Sequence, residues 1–269
     1  MDTDRIVADL HAHTTVSDGT MTADELVDAA RETGLDWVAI TDHDRVHPDL
    51  SAPVVERDGV RVVRGIELRV DAGFVRLDLL GYAVEPTEAL DAEIERLQAD
   101  REQRGAAILD AAEDRLGVDL GIEPRPGLGR PHIARAIDES PAPYDYAGAF
   151  DELIGNDGSC YVAREVTALE RGVELLRDAS ALVGLAHPFR NDDVDAALDV
   201  ARELDAVERF YPYGRPVDDA RVERVAAESD LLLTGGTDAH ERTLAEEGLT
   251  ATAFAPVRER LPDPAPDAA

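Results

Sequence analysis

The 269-residue sequence contains no lysine and a single cysteine. All 27 basic residues are arginines, against 58 aspartate and glutamate residues, which gives a formal net charge of −31. This excess of negative charge argues against stable binding of duplex nucleic acid. An acidic surface without lysine is typical of proteins that remain soluble in concentrated salt, where charge repulsion is screened within about 3 Å at 1 M. A GC-rich genome is the alternative explanation for the missing lysine.

Long apolar runs are also missing from the sequence. No segment approaches the run of about 18 apolar residues that a membrane helix requires. The acidic N-terminus leads into a strand-like segment and does not have the pattern of a signal peptide. Cys160 has no second cysteine with which to form an internal disulfide, which fits a reducing compartment. We therefore expect a cytoplasmic protein in a high-salt cytoplasm, without membrane association; the sequence leaves its oligomeric state open.

Short apolar segments alternate with amphipathic segments along most of the chain. Thr22 and Glu25, like Thr167 and Glu170, have the spacing of a capping box at the start of a helix. Such alternation of strands and helices is typical of a parallel α/β sheet or barrel. The predicted strands are 6–10, 37–41, 60–68, 75–82, 181–186, 206–210 and 231–234, and the predicted helices are 22–34, 87–116, 167–180, 194–204 and 217–229.

A segment rich in glycine and proline interrupts this alternation between residues 121 and 158. Only short helical pieces are predicted there, at 131–139 and 146–154. The predicted organisation is a discontinuous barrel at 1–87 and 165–260, a mostly helical insertion at 88–164, and a disordered tail at 261–269 rich in Pro, Asp and Ala.

Residue types that bind metal ions follow the predicted strands. Because the carboxyl ends of strands converge on one face of an α/β barrel, these side chains are expected around one pocket. Nine ligands exceed the needs of one ion, so two or three divalent cations are implied, with Mn favoured and Fe or Zn as alternatives. Such clusters activate water and stabilise phosphoryl oxygens. The candidate ligands are His11, His13, Asp18, His43, Glu67, Asp78, His187, Asp238 and His240.

Two of these positions also have an ordinary structural interpretation. Asp78 could lie on a solvated strand face, and His187, which precedes Pro188, could be a core histidine with satisfied hydrogen bonds. The combination is harder to explain without metal, because six of the seven histidines fall in these motifs or in the Arg-Pro-His of the insertion. Only His47 lies outside them.

Five segments resemble, in order and spacing, the motifs of the polymerase and histidinol phosphatase (PHP) family: DLHAHTTVSDGT at 9–20, ITDHD at 40–44, GIEL at 65–68, LAHPFR at 185–190 and GTDAH at 236–240. The resemblance implies a distorted (β/α)7 barrel of PHP type with a trinuclear metal site, in which Glu67 bridges ions. The family motif has histidine where this chain has Asp78, which leaves the number of ions open. The resemblance implies catalytic ligand roles for His11, His13, Asp18, His43, Glu67, His187, Asp238 and His240.

Three further segments resemble a subgroup of the family that acts on nucleoside 3′,5′-bisphosphates or short 5′-phosphorylated oligonucleotides. They are MTADELVDAA at 21–30, GRPHIARAI at 129–137, and the stretch from Cys160 to TALE at 167–170. The resemblance implies that substrate phosphate contacts Arg130, His132, Arg135 and Arg190, and guanidinium groups suit that role. Arg135 also has an ordinary structural interpretation, because it lies five positions from Arg130 and residues at that spacing on a helix point in different directions.

The expected function is that of a metal-dependent phosphoesterase of phosphatase or 5′-3′ exonuclease type. It would hydrolyse phosphate esters of a nucleotide or a short oligonucleotide by metal-activated hydroxide. Two alternatives remain at this point. One is a histidinol-phosphate phosphatase, which shares the barrel and the metal ligands by resemblance. The other is a non-catalytic PHP module that binds metal without turnover.

Overall fold

The computed structural model describes residues 5–125 and 128–266. Within these residues the chain forms twelve strands and eight α-helices, with a π-helical turn at Ala149–Ile154 and a 3₁₀ turn at Pro188–Arg190. The strands are β1 (Ile6–Asp9), β2 (Trp37–Ile40), β3 (Val54–Arg57), β4 (Val60–Arg64), β5 (Ile66–Asp71), β6 (Arg76–Tyr82), β7 (Thr167–Ala168), β8 (Leu182–Leu185), β9 (Ala206–Phe210), β10 (Leu232–Gly235), β11 (Leu249–Thr250) and β12 (Ala265–Pro266). The helices are α1 (Ala23–Thr33), α2 (Glu88–Leu116), α3 (Arg130–Glu139), α4 (Tyr146–Gly148), α5 (Leu169–Ala179), α6 (Val194–Ala201), α7 (Asp219–Ser229) and α8 (Ala251–Arg258).

The chain divides into two compact units. The first unit consists of Met1–Asp91 and Thr167–Ala269, and the second of Ala92–Val166. The second unit contains most of α2, together with α3 and α4, around its own apolar cluster, which includes Ile108, Ile133 and Leu153. None of the helices in the described part of the chain is both long enough and apolar enough to cross a membrane.

Two six-stranded sheets build the first unit, in the orders β11-β1-β2-β4-β3-β12 and β10-β9-β8-β6-β5-β7. Backbone hydrogen bonds join the two sheets at both sides. On one side Leu10 N donates to Gly235 O (3.0 Å), and on the other Gly65 N donates to Ile40 O (2.8 Å). The sheets therefore close into a distorted barrel, in which β6 runs antiparallel to its neighbours β5 and β8. The α/β fold predicted from the sequence is confirmed.

Helix α1 begins as its sequence predicts. Glu25 N donates to Thr22 Oγ1 (3.3 Å) and Thr22 N donates to Glu25 Oε2 (2.8 Å), which is a reciprocal capping box. Gly34 ends the helix in the left-handed region, with φ of 79°. The capping box predicted at Thr167 is wrong, because that residue pairs with Val70 in strand β7 and α5 starts after Ala168 without a side-chain cap.

Two apolar clusters pack around the barrel strands. One cluster includes Leu10, Leu80 and Leu182, and the other packs α1 against β2 and β4 through residues such as Leu26 and Ile40. Full burial of one such leucine or isoleucine contributes about 1.5–3 kcal/mol. The barrel therefore provides a rigid base for the polar residues that follow its strands.

Three segments differ from the sequence predictions. The strand predicted at 60–68 is two strands, β4 and β5, which belong to different sheets and are separated by Gly65. Strand β3 was not predicted, and it pairs antiparallel with β4 across the Asp58-Gly59 turn. The tail at 261–269, predicted to be disordered, instead contains β12, which pairs with β3; residues 267–269 lie outside the described residues.

Candidate metal centre

Chain segments that follow or contain barrel strands carry every candidate ligand predicted from the sequence. Strands β1, β2, β8 and β10 lead directly into ligand-bearing loops, whereas Glu67 and Asp78 lie within β5 and β6. The structure brings the nine side chains together in three overlapping groups, in each of which the ligand atoms lie within 4.8 Å of one another. The groups are His13, Asp18, His43 and His240; His11, His13, Glu67 and Asp238; and Glu67, Asp78 and His187.

The side chains of the second group are almost fully buried. His13 Nε2 lies 3.0 Å from Asp238 Oδ1 and 3.4 Å from Glu67 Oε2. His11 Nε2 lies 3.4 Å from the same Asp238 oxygen and 3.5 Å from Glu67 Oε1. Two ligands that each lie about 2.1 Å from one tetrahedral ion are about 3.4 Å apart, so these separations fit a shared cation.

The first group is closer to solvent. Asp18, whose side chain is 46% exposed, has its oxygens 3.3 Å from His240 Nε2 and 3.7 Å from His43 Nε2. The rings of His13 and His240 stack with centroids 4.3 Å apart. His43 Nδ1 lies 2.7 Å from Glu67 Oε2, so Glu67 contacts histidines of both groups. Glu67 therefore lies where it could contact ions in both groups, and the bridging role that the family resemblance implies stays a prediction.

Asp78 in the third group has a partner that was not predicted. Arg69 lies directly opposite it in the β5–β6 register. Its Nε donates to Asp78 Oδ1 (2.6 Å), and its Nη2 donates to Asp78 Oδ2. His187 Nε2 lies 3.8 Å from that second oxygen and within hydrogen-bond distance, 3.0 Å, of Glu67 Oε1. Asp78 is therefore buried in an ion pair and does not lie on a solvated strand face.

Glu208 is a buried carboxylate behind the ligands that sequence reasoning missed. One of its oxygens lies 3.1 Å from His11 Nδ1, and the other accepts a hydrogen bond from His187 N (2.7 Å). A proton on Nδ1 leaves His11 Nε2 unprotonated and able to bind a metal ion. The available signal was a single acidic residue inside the otherwise apolar start of β9.

Two buried aspartates hold the ligand-bearing loops. Asp9 accepts hydrogen bonds from the backbone of His11, Thr237 and Ala245 and from the Thr237 hydroxyl (2.6–3.3 Å). Asp42 accepts from Thr14 N and Oγ1 (both 2.7 Å) and from Ser17 Oγ (2.6 Å). Charged acceptors make stronger hydrogen bonds than neutral ones, so these contacts fix the backbone on either side of the ligands.

The backbone at the site adopts conformations that are rare for residues with side chains. His187 has φ of 27°, Asp44 has 49° and Asp238 has 56°. Such conformations cost of order 1–3 kcal/mol each and persist where surrounding contacts enforce them. Gly236 is required for a different reason, because a Cβ there would lie 2.3 Å from His11 N. The site therefore depends on tightly held backbone as well as on its ligands.

Charges at the site stabilise one another. Burial by itself lowers the pKa of His11, but neighbouring carboxylates, above all Glu208, raise it well above its usual value. For His43, burial is outweighed by the charge of Glu67, which raises the pKa to about 9. Burial opposes ionisation of Glu67 and Asp238, yet the histidines lower the pKa of both carboxyl groups below their usual range. The raised pKa values of His11 and His43 indicate that the carboxylates of this site require positive charge beside them.

Several ligand atoms lack hydrogen-bond partners in the described part of the chain. They include His11 Nε2, both ring nitrogens of His13, Glu67 Oε2 and Asp238 Oδ1, all of them buried. Leaving buried polar atoms unsatisfied costs about 1–3 kcal/mol each. Imidazole and carboxylate donors at these separations suit Mn, Fe or Zn, so the first two groups fit divalent ions.

The substrate contacts predicted from the sequence fall in both units. Arg190, in the first unit, donates through Nη1 to Tyr211 Oη (2.8 Å) and to Asp238 Oδ2 (3.0 Å). Arg130, in the second unit, donates to Asn156 Oδ1 (3.0 Å). The other two second-unit candidates are the exposed residues His132 and Arg135. Their contact with substrate stays a prediction.

A pocket of about 410 Å³ is lined by Arg190 and by five residues that sequence reasoning did not select. Tyr211 Oη donates to Asp238 Oδ2 (2.9 Å), which places this pocket beside the candidate ligands. Arg215 Nη2 donates to Phe189 O (2.8 Å) at its wall. The five residues are Phe189, Tyr211, Pro212, Tyr213 and Arg215.

Known proteins resemble this chain over most of its length. The PHP domain model matches residues 9–147. A phosphoribosyl 1,2-cyclic phosphate 1,2-diphosphodiesterase from Eggerthella lenta is 31% identical over 251 residues, which cover 87% of this chain and 94% of that protein. A 3′,5′-nucleoside bisphosphate phosphatase from Chromobacterium violaceum is 29% identical, over 68% of this chain and 67% of that protein. A 5′-3′ exoribonuclease from Haemophilus influenzae is 26% identical, over 68% and 69%.

Two solved structures share the fold. One, from Bifidobacterium adolescentis, has a TM-score of 0.75 and 24% identity, and the match covers 95% of this chain and 96% of the chain in that structure. The other, from Chromobacterium violaceum, has a TM-score of 0.71 and 22% identity, with coverage of 96% and 98%. The distorted barrel predicted from the sequence is the fold of these structures.

Proposed function

This chain belongs to the PHP domain family and is a metal-dependent phosphoesterase, and we propose that its substrate is a ribose derivative carrying two phosphate groups. One phosphate ester is hydrolysed at the candidate metal centre while the other is held beside it. The first candidates are nucleoside 3′,5′-bisphosphates and short 5′-phosphorylated oligonucleotides. The proposal depends above all on the convergence of buried histidine and carboxylate atoms without other partners.

The chain's own residues support this chemistry in a definite way. One ion would be held by His11, His13, Glu67 and Asp238. A second would be held by the group of His13, Asp18, His43 and His240. Divalent ions in such a pair activate water and neutralise phosphoryl oxygens. We propose Mn²⁺ as the working ion, since the donor set mixes imidazole with hard carboxylate oxygens.

The pocket beside Asp238 supports a second phosphate on the substrate. The side-chain hydrogen bonds that Arg190 makes in the described part of the chain use Nη1 alone, and its side chain is 57% exposed. Arg215, which is exposed, also lines the pocket. Two guanidinium groups can bind a phosphate through planar pairs of hydrogen bonds. In a chain of net charge −31, this local positive charge is what a phosphorylated substrate requires.

A second candidate substrate is a phosphoribosyl cyclic phosphate. It is favoured by the Eggerthella lenta relative, which is 31% identical and is matched over 94% of its length. Such a compound also carries two phosphate groups on one ribose, so the same pocket suits it. The two candidates differ in the presence of a nucleobase, which the tyrosines at positions 211 and 213 could stack against.

The test is phosphate release and product analysis in molar KCl with Mn²⁺, because the lysine-free acidic composition supports function in a high-salt cytoplasm. The substrates are adenosine 3′,5′-bisphosphate, AMP, a 5′-phosphorylated short RNA, phosphoribosyl 1,2-cyclic phosphate and histidinol phosphate. Preference for any of the doubly phosphorylated compounds over AMP supports the proposal. Activity on histidinol phosphate alone would refute it.

Arg215→Ala tests the pocket directly. Losing one charged hydrogen bond to phosphate costs about 1.5–3 kcal/mol, so KM for the bisphosphate should rise about 10- to 100-fold while KM for AMP changes little. The matched control is Arg202→Ala, which removes an exposed arginine paired with Glu228 and should leave both values unchanged. An equal rise in KM for both substrates would contradict the assigned role.

A further inference from the structure

The third ligand group differs from the second in the state of its Asp78 and His187 donor atoms. In the second group, His11 Nε2, Glu67 Oε2 and Asp238 Oδ1 have no hydrogen-bond partner in the described residues. In the third group, both oxygens of Asp78 accept hydrogen bonds from Arg69. His187 Nε2, the ring nitrogen that faces this group, lies 3.0 Å from Glu67 Oε1 in a hydrogen bond. Both oxygens of Asp78 and the ring nitrogen of His187 that faces them therefore already have partners.

The Arg69 guanidinium group lies where it competes with a metal ion. Its Nη2 binds Asp78 Oδ2, the same oxygen that lies 3.8 Å from His187 Nε2. A third ion would need this oxygen, and it would place a double positive charge next to a guanidinium group that stays protonated. The side chain of Asp78 is only 4% exposed, so water does little to screen that repulsion.

The charge balance of the site also argues against a third divalent ion. The candidate ligands include four carboxylates, those of Asp18, Glu67, Asp78 and Asp238. Arg69 neutralises the charge of Asp78 and leaves three negative charges for metal ions. Two divalent ions nearly balance these, whereas three would leave a large positive excess in a mostly buried site.

We propose that Arg69 takes the place of a third metal ion and that this chain binds two divalent ions. The inference rests on the metal centre of the proposed function but not on any particular substrate. It departs from the trinuclear site that the family resemblance implies, and it explains why aspartate at position 78 suits this chain. Arg69 supplies one fixed positive charge at a position where a third cation would otherwise be bound.

The experiment counts bound ions. Wild-type protein and variants are equilibrated with excess Mn²⁺ in molar KCl, freed of unbound metal, and measured by inductively coupled plasma mass spectrometry. Wild type and Arg69→Lys, which both keep the positive charge, should bind two ions per chain. Arg69→Gln and Arg69→Ala free Asp78 and should bind three; of these, Arg69→Gln keeps most of the side-chain volume in case Arg69→Ala does not fold.

Arg76→Ala is the matched control. Arg76 pairs with Asp71 on the same two strands, but at their exposed end, so its loss should leave the count at two. Three ions in wild type would overturn the inference and leave the proposed function intact, and so would two ions in both neutral variants. No bound ion in wild type would overturn the metal centre itself, and this inference with it.

Discussion

Replacing Glu208 by glutamine should weaken metal binding through a single change of tautomer. The Glu208 carboxylate lies 3.1 Å from His11 Nδ1 and accepts from His187 N (2.7 Å). A glutamine side chain has one oxygen, which must face His187 N because a backbone N–H can only donate. Its amide NH₂ then faces His11 Nδ1, which must accept, so the proton of His11 moves to Nε2. That nitrogen is the atom directed at Glu67 and Asp238.

The expected loss is 10- to 100-fold in Mn²⁺ affinity, which is the usual effect of replacing a residue that orients a metal ligand. This corresponds to about 1.4–2.7 kcal/mol. Affinity is measured by competition with a fluorescent chelator in molar KCl, and kcat is measured with saturating Mn²⁺. Because the tautomer can be reversed by excess metal, much of the activity should return at high Mn²⁺ concentration.

A matched control separates this effect from a general loss of charge. Glu223→Gln makes the same chemical change at a half-exposed residue that pairs with Arg209, and it should leave Mn²⁺ affinity unchanged. The melting temperature of metal-free Glu208→Gln should stay within a few degrees of wild type, since the glutamine keeps the size of the side chain. Mn²⁺ affinity within threefold of wild type in a folded Glu208→Gln protein would refute the tautomer argument.

Three further predictions concern the loops and the protons of the site. Asp9→Ala leaves several buried donors, including Thr237 N, without an acceptor and should lower the free energy of unfolding by about 3 kcal/mol. The measurement is denaturant titration of the metal-free protein, and a loss below about 1 kcal/mol contradicts the role of Asp9. Gly236→Ala places a Cβ 2.3 Å from His11 N and should destabilise the protein and reduce Mn²⁺ uptake together, and a variant with normal Mn²⁺ affinity would contradict the close approach. His43 has a pKa of about 9 against 6.5 when unfolded, so its contribution to the stability of the metal-free protein is fully present below pH 6.5 and is lost as the pH rises through 9. Because Mn²⁺ binds the unprotonated ring, its binding at pH 7 should release protons, and its affinity should rise towards pH 9. Calorimetry in buffers of different ionisation enthalpy measures the proton release, and its absence would contradict the raised pKa of His43.

The sequence predicted the barrel and the membership of the candidate site, because both depend on local patterns. Alternating apolar and amphipathic segments reveal the strands and helices, and the carboxyl ends of strands must meet on one face. The ligands His187 and His240 could therefore be grouped with His11 from the sequence alone. Their distances could not be predicted, since these depend on how the two sheets close.

Features fixed by pairing between distant segments were missed for the same reason. Glu208 faces inward only because β9 lies beside β8, and Arg69 meets Asp78 only in the observed β5–β6 register. Strand β3 was a different case, because the Asp58-Gly59 turn between two apolar segments is a recognisable hairpin signal that could have been used. The capping-box pattern at Thr167 failed because pairing with β5 determined the backbone there.

The adjacency of β6 and β8 has a consequence for how this chain could diverge. Tyr82 lies opposite Leu182, and between these two neighbouring strands the chain passes through the second unit, Ala92–Val166, before it returns to the first unit at Thr167 in β7. The entropy of closing such a loop grows only logarithmically, by about 0.6 kcal/mol for each doubling of its length. All nine candidate ligands lie in the first unit and none in the second. The second unit could be lengthened, shortened or exchanged during evolution at little cost to the barrel, so new substrates could be acquired while the metal ligands stayed unchanged.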